Sequence, residues 1–408
     1  MARLRRGTSL WLDEYSGPRF SAPKLAGRHD ADVVVIGGGI TGCVAAQRLA
    51  ARGLRVVVLE AEKIGRGSTA ASTALLMQEP DVDFGDLSER YGRKAAASVW
   101  TTSRRAVQSM IRAIAGFRIP AALHRVPSVY FTRDENEARA LAREARARVR
   151  AGIHCRWLDP DELSDLTGIR AAGAILTRGD AQVNPYVACL GFGAAARRTG
   201  ARMHEHSAVR RVGARGSHVD VETEHGAVRA RWAIVATGYA TPEFKPLAGR
   251  FRMSHTYVIA TPPLHAGQRR RLGLGDVMLW DTERPYHYGR WTADHRLLFG
   301  GRDHPRKRRT SPATLRRRTA ELTADLIDLY PTARDLAPEY AWEGLFATTP
   351  DGLPYIGSHG RYPRHLFALG YGGNGMTFGF LAGEMLARMI RGVAKPEDEL
   401  FRFNRRVR

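Results

Sequence analysis

The spacing of apolar and polar residues changes several times along this chain, and each change marks a new element. Asp32 to Ile36 is a continuous β-branched run of the kind found in strands covered on both faces, and it stops at three glycines. From Ile40 to Arg52 the apolar residues Val44, Ala45, Leu49 and Ala50 recur at helical spacing, Gly53 ends the helix, and Arg55 to Leu59 reads as a second strand. Tyr91 to Phe117 predicts a helix through Val99, Val107, Met110, Ile111 and Ile114. Glu135 to Ala151 predicts a second, strongly charged one, with a short strand at Ser128 to Thr132 between them. A helix from Pro185 to about Thr199 follows, with proline in its first turn and Gly200 at its end. Strands are then expected at Arg202–Glu205, Val209–Val212, His218–Glu224, Ala227–Arg231 and Trp232–Val235. From Phe251 to about Tyr340 the pattern is that of an antiparallel sheet with a crossing helix: strands His255–Thr261, Val277–Trp280, His287–Trp291 and Arg296–Gly300, then a helix at Pro312–Leu329. The chain closes with a strand at Leu366–Leu369, a glycine turn, and a helix from about Phe378 to Arg391.

These alternations predict an α/β protein of two interleaved domains. A Rossmann-type dinucleotide-binding domain is expected in three pieces, 30–88, 179–248 and 342–408, the last with a C-terminal tail. A second domain with a mixed, largely antiparallel sheet is expected at 89–178 and 249–341. Residues 1–29 show no periodic pattern, and Trp11, Tyr15 and Phe20 suggest an arm pinned to the surface.

At 408 residues and 44% apolar content, the chain has enough material for two packed cores. Its 63 basic and 41 acidic residues leave a net charge of +22, carried almost wholly by arginine. The arginines are dispersed, as a GC-rich coding bias would leave them, so nucleic acid is not the expected partner. Cys43, Cys155 and Cys189 are far apart in sequence, with neither C-x-x-C spacing nor a paired framework, so no metal site or disulfide is expected. The basic N-terminus lacks the apolar core of a signal peptide and no run has the length of a membrane span, which places the expected location in the cytoplasm.

The chemistry begins at Gly37, Gly39 and Gly42, spaced G-x-G-x-x-G between a strand and a helix. The first serves a tight turn, the second the close approach of a pyrophosphate, and the third the packing of helix on strand. Amides opening that helix, at Ile40 and Thr41, would face phosphates. Glu60 ends the second strand, where a carboxylate accepts both ribose hydroxyls and repels a 2′-phosphate, so the adenosine of FAD or NAD fits. Ala61 and the small, hydroxylated run Ser68, Thr69, Ala71, Ser72 follow. Ala236, Thr237 and Gly238 bring backbone close to something bulky. The last glycine run, Gly372, Gly373, Asn374 and Gly375, precedes Met376 and Thr377 at the head of the final helix; its density of glycine suggests positive φ.

Taken in order, these four motifs resemble the FAD-dependent oxidoreductases of the D-amino-acid oxidase superfamily, with the closest likeness to the gamma-glutamylputrescine oxidoreductase and glycine/sarcosine oxidase branch. The resemblance implies FAD with its pyrophosphate at Gly37, Gly39 and Gly42, its ribose at Glu60, its diphosphate and flavin side at Ser68 to Ser72, and its adenine at the Val209 backbone. Ala236 to Gly238 would cover the dinucleotide, and the amides after Gly375 would face the flavin's pyrimidine edge. No cysteine follows Cys189, so FAD is expected to be non-covalent. The implied substrate is a small amine or amino acid oxidised at a C–N bond, with oxygen or another acceptor taking the electrons. Some relatives activate oxygen with a lysine near the flavin, and here only Lys307 follows Lys245 in the second domain. The second sheet would supply substrate contacts from His255, Tyr257, Tyr286, His287, Tyr288 and Arg290. Two other readings remain at this point: an FAD enzyme acting on modified tRNA bases, and a flavin-binding protein without turnover.

Overall fold

The computed structural model describes residues 5–18, 20–306 and 311–405. The expectations placed on the ends of the arm and tail, and on Lys307, lie outside the described residues.

The buried run at Asp32–Ile36 is the inner end of a longer strand, Gly27–Ile36, which has parallel neighbours on both edges. Gly226–Gly238 lies on one side and Val56–Leu59 on the other, and Tyr362–Leu369 and Arg202–His204 extend the parallel set outward. Val33, Val34, Val35, Val57 and Val58 are fully shielded, which is why these strands show no polar alternation. Gly226–Gly238, expected as two strands, is one strand with two successive partners along the same edge. Its first half pairs antiparallel with His218–Glu222 and its second half parallel with Tyr362–Leu369. Helices Ile40–Ala50, Pro185–Arg198 and Gly375–Ile390 pack together against this sheet. They cross closely: a β-carbon on Gly383 would stand 2.8 Å from Val44 Cγ1.

The second sheet runs in the order Arg5–Gly7, Tyr340–Thr348, Arg252–Ala260, Leu297–Pro305, Tyr288–Trp291, Met278–Asp281, Ser128–Thr132, Gly173–Thr177, Cys155–Leu158. All its pairings are antiparallel except Met278–Asp281 with Ser128–Thr132. Helix Pro312–Leu329 covers one face through Leu322 and Leu326, which pack on Tyr257, Ile259 and Phe299. Val258, Leu298 and Trp342 on the opposite face join the core of the dinucleotide helices.

Three boundaries move. The stretch 1–29 is not a surface arm: Arg5–Gly7 adds an edge strand to the second sheet, Leu10 and Trp11 are buried, and Gly27 already begins the central strand. Residues 342–348 pair with residues 252–258, so the chain returns to the first sheet only after Thr348. The helix expected at Tyr91–Phe117 breaks at Gly92 (φ +85°), and its main part, Arg93–Gly116, packs on Phe378, Phe380 and Met385 rather than on the second sheet. Among the described residues no helix is long and apolar enough to cross a membrane.

A buried ionic network stands behind the head of the final helix. Arg148 donates to Glu79 (2.6 Å), Glu144 (2.7 Å) and Asp83 (3.2 Å), and its guanidinium lies 4.4 Å from the Trp100 ring. Ser128 Oγ lies 2.7 Å from Asp180 Oδ2 and 3.1 Å from Glu79 Oε2, and one hydroxyl proton cannot serve both carboxylates. Burial, and then the charge of Glu79, push the Asp180 carboxyl up to about 7. The folded state therefore holds this proton more tightly than the unfolded one. The stability it contributes is present at low pH and is lost as pH rises from the ordinary carboxylate range through about 7. Asp180→Asn keeps a donor towards Ser128 without the titration. The drop in Tm between pH 5 and pH 8 should be roughly 2–4 °C smaller in the variant, read by thermal scans in matched buffers; parallel curves would show that the proton resides elsewhere.

Candidate active site

At the carboxyl end of the central strand the glycines serve contacts that a side chain would block. Gly37 (φ +107°) turns the chain beneath the Ala236 carbonyl, and a β-carbon there would come within 2.7 Å of that oxygen. A β-carbon on Gly42 would stand 2.0 Å from the Gly37 carbonyl oxygen. Gly38, which the spacing rule passes over, is constrained more softly: its β-carbon would lie 2.3 Å from Ile64 Cδ1, the end of a side chain that can shift. The Gly38 amide donates to Glu60 Oε2 (2.7 Å) and the Glu62 amide to Oε1 (2.9 Å), so Glu60 both closes the strand and holds the loop. Burial pushes the Glu60 carboxyl up against the opposing pull of these two amides. Ala61 continues the chain beside it, half-buried. Val209 is buried but outside the strand expected for it, since pairing begins only at Arg211.

The run Ser68–Ser72 begins with a single helical turn, Ser68–Ala71, and it is held from outside. Thr69 Oγ1 accepts the Ile40 amide at 3.2 Å, and Ser68 Oγ donates to the Leu345 carbonyl at 3.0 Å. Four successive carbonyls are then taken by side chains from other elements. Ser9 Oγ donates to Ala70 O (2.5 Å), Trp342 Nε1 to Ala71 O (2.9 Å), Trp11 Nε1 to Ser72 O (2.8 Å) and Arg290 Nε to Thr73 O (2.6 Å). Periodicity could not reveal this, because each bond is a long-range side-chain contact to backbone.

The third segment arrives from the far end of the chain. The Gly370 amide donates to Gly238 O at 2.9 Å, placing the end of Ala236–Gly238 beside the last glycine run. Thr237 Oγ1 turns back to Tyr239 O at 2.7 Å, and Thr41 Oγ1 lies 2.9 Å from the Tyr371 hydroxyl. Helix Gly375–Ile390 starts at Gly375, earlier than the periodicity suggests, with Met376 buried. Asn374 Nδ2 donates to Met77 O and Glu79 O at 2.8 Å each, and Thr377 Oγ1 to Met77 O at 2.9 Å. The expectation of positive φ holds for Gly372 (+63°) and not for Gly373 or Gly375. Gly373 needs its hydrogen for a different reason, since a β-carbon would lie 2.1 Å from the Tyr286 hydroxyl, while one on Gly375 would meet no protein atom within 4 Å.

The facing sheet corrects the expected substrate contacts. Strand residues alternate faces, so His255 and Tyr257 point away from the cradle into the layer under helix Pro312–Leu329. There the Tyr257 hydroxyl lies 2.9 Å from His304 Nε2, and the His255 ring is 5.5 Å from that of His304. His287 shares that face, between Asp281 (2.9 Å) and Asp325 (3.2 Å), which raise its pKa against the effect of burial. It borders a separate cleft of about 280 Å³ on the side away from the cradle. Arg290 is on the cradle side, yet each guanidinium nitrogen donates to a main-chain carbonyl: Thr73, Trp291 and Val183. It anchors backbone and is not a free carboxylate binder. Tyr288 and Tyr286 do face the cradle; the Tyr288 hydroxyl lies 2.8 Å from Thr256 Oγ1. Tyr286 lies against Gly373.

Sequence reasoning missed Asp81 and Asp303. Asp81 accepts the Gly373 amide, and burial pushes its carboxyl up to about 6. Asp303 reaches this face through a bulge: Gly301 (φ +151°) and Arg302 (φ +56°) shift the register, so that Arg302 turns to Asp325 on the outer side and Asp303 turns inward to Thr256. Burial pushes Asp303 up to about 6. Two of the three cysteines, distant in sequence, also meet: Cys43 and Cys189 Sγ lie 3.8 Å apart beside the Gly38 carbonyl as free thiols.

The model of the family "FAD dependent oxidoreductase" matches residues 32–389. The chain belongs to that family. It is 28% identical over 378 residues to gamma-glutamylputrescine oxidoreductase of Escherichia coli, covering 90% of this chain and 85% of the relative. It is 26% identical to glycine oxidase of Bacillus licheniformis, covering 88% and 93% respectively. The structure of glycine oxidase from Geobacillus kaustophilus matches with a TM-score of 0.79 at 21% identity, covering 93% of this chain and all of that one, which shows the shared fold. The family is FAD-dependent, and the strand–turn–helix with side-chain-free backbone at Gly37, Gly38 and Gly42 and a buried carboxylate at Glu60 fits a dinucleotide cofactor. Membership in it gives no support to a modified tRNA base as substrate.

Glu60→Ala removes the acceptor of the Gly38 amide and the carboxylate expected to meet the ribose. A hydrogen bond to a charged group contributes about 1.5–3 kcal/mol, so FAD affinity should fall by roughly tenfold or more. Flavin retained after exhaustive dialysis reports it; full retention would place the ribose elsewhere.

Proposed function

We propose that this protein oxidises the C–N bond of a small amine or amino acid to an imine, with non-covalently held FAD. The observation that carries the reading is the meeting of three distant segments, Gly37–Thr41, Ser68–Ser72 and Gly372–Asn374, opposite a sheet face bearing Tyr286 and Tyr288. Bound FAD supplies the two-electron oxidation, and oxygen or another acceptor takes the electrons from it.

The residues proposed to hold FAD are Gly37, Gly39, Ile40, Thr41 and Gly42 at the pyrophosphate and Glu60 and Ala61 at the ribose. Val209 serves the adenine, Ser68, Thr69, Ala71 and Ser72 the flavin side, and Ala236, Thr237 and Gly238 the cover. The amides of Gly375, Met376 and Thr377 open the final helix and favour negative charge in front of it. Asn374 and Asp81 tie that helix end to the segment Met77–Asp81, so its position is set before substrate arrives. Tyr286 and Tyr288 wall the substrate side and exclude water, which keeps a neutral amine in place while its α-hydrogen leaves.

The test is anaerobic mixing of the purified protein with a panel of amines and amino acids while the visible flavin spectrum is followed. Bleaching by at least one compound, and yellow colour in the supernatant after acid precipitation, are expected. A spectrum unchanged by every compound would support a flavin-binding protein without turnover. Colour that stays in the pellet would overturn non-covalent binding.

A further inference from the structure

The charges on the cradle-facing side of the second sheet point to one class of substrate. An α-amino acid brings a carboxylate next to the carbon that is oxidised, and a site built for it needs a free cation nearby. Arg290 gives all three of its nitrogens to carbonyls. Arg302 is turned outward to Asp325 by the bulge, and Arg148 is enclosed by Glu79, Glu144 and Asp83. Arg284 borders the cleft beside His287, donates to the Thr282 and Glu283 carbonyls, and shares its charge among Tyr130, Asp83 and Asp81.

What the face does present is acceptors. Asp303 lies beside Thr256, while Asp81 accepts the Gly373 amide and feels the charge of Arg284. Asp303 Oδ1 is shielded from solvent and has no hydrogen-bond partner among the described residues. A second such acceptor belongs to the head of the final helix: Asn374 is only 2% exposed, both its bonds to Met77 and Glu79 use Nδ2, and Oδ1 is left without a partner. Its neighbour Gly373 donates to Asp81. A buried acceptor without a donor is costly, and a ligand rich in N–H groups removes that cost.

We propose that the substrate enters as an ammonium group paired with Asp303, which takes one N–H proton and leaves the neutral amine that is oxidised, and that the site selects cationic amines lacking an α-carboxylate over α-amino acids. Thr256 and Tyr288 position the Asp303 carboxylate, and Asp81 adds to the negative potential of the same face. An α-carboxylate placed here would meet the like charge of Asp303 and Asp81, and the nearby Arg284 is already engaged by Tyr130, Asp83 and Asp81.

This inference rests on the proposed amine oxidation, and its test separates the two. The FAD-loaded protein is mixed anaerobically with alkylamines and diamines in one arm and with glycine, sarcosine, alanine and proline in the other. Amines without an α-carboxylate should reduce the flavin with kcat/KM about 100-fold above the amino acids. Reduction by the amino acids with the amines inert would overturn the inference and leave amine oxidation standing; no reduction by either arm would remove both. Asp303→Asn should lower kcat/KM for the best amine about 100-fold, with flavin content kept, and narrow the amine-to-amino-acid ratio. A variant with wild-type kcat/KM and ratio would overturn the role of Asp303. Should that variant fail to fold, the order of substrates in the wild-type protein decides by itself.

Discussion

Gly42→Val protein should purify colourless. The added β-carbon would lie 2.0 Å from the Gly37 carbonyl oxygen and 3.1 Å from its carbon, and neither is the end of a side chain that could swing aside. Helix Ile40–Ala50 must therefore move off the strand by more than an ångström, carrying with it the Gly38 loop and the Ile40 amide. Overpacking of this kind costs about 1–3 kcal/mol, and losing the ligand also removes the stabilisation that binding gives the folded state. FAD content should fall below about a tenth of wild type, with Tm lowered whether or not FAD is added in excess. Full flavin content would show that the strand–helix contact is looser than the carbonyl geometry requires. A milder replacement, Gly42→Ala, meets the same oxygen and should show the same direction.

Arg148→Ala should be the most destabilising single change in the second domain. It removes the cation from among Glu79, Glu144 and Asp83, of which Glu79 is fully shielded. Breaking a buried pair by deleting one partner costs about 3–5 kcal/mol, because a charge is left in a medium that solvates it poorly. A fall in Tm of roughly 10 °C or more is expected, read by thermal scan at neutral pH with FAD in excess. The effect should also reach the cofactor, since the Glu79 carbonyl is one of the two that hold Asn374 at the head of the final helix. Arg148→Lys, able to meet one carboxylate at a time, should fall between the two. An unchanged Tm would mean that the cluster already holds enough protons to be neutral.

The parts legible from residue order alone were those governed by local physics. Unbroken β-branched runs mean strands covered on both faces, and they located the parallel sheet; G-x-G-x-x-G, Glu60 and the last glycine run describe short-range turn and helix-end geometry, and they located the cradle. Apolar spacing at 3.6 residues found the long helices but not the break at Gly92, where one positive φ separates two helices of compatible pattern.

Side-chain facing in the second sheet was decided only by the tertiary structure. A strand tells which residues share a face, but not which face meets the cofactor, and His255 and Tyr257 fell on the outer one because helix Pro312–Leu329 covers it. The bulge at Gly301–Arg302 then reversed the alternation for the last residues of its strand, exchanging Arg302 for Asp303 on the inner face. Residues 70–73 depend on Ser9, Trp11, Arg290 and Trp342, and the meeting of Cys43 with Cys189 depends on the packing of the two helices that carry them. Contacts across tens to hundreds of residues leave no period in the chain, because what selects them is the shape of the assembled core rather than the conformational preference of any one segment.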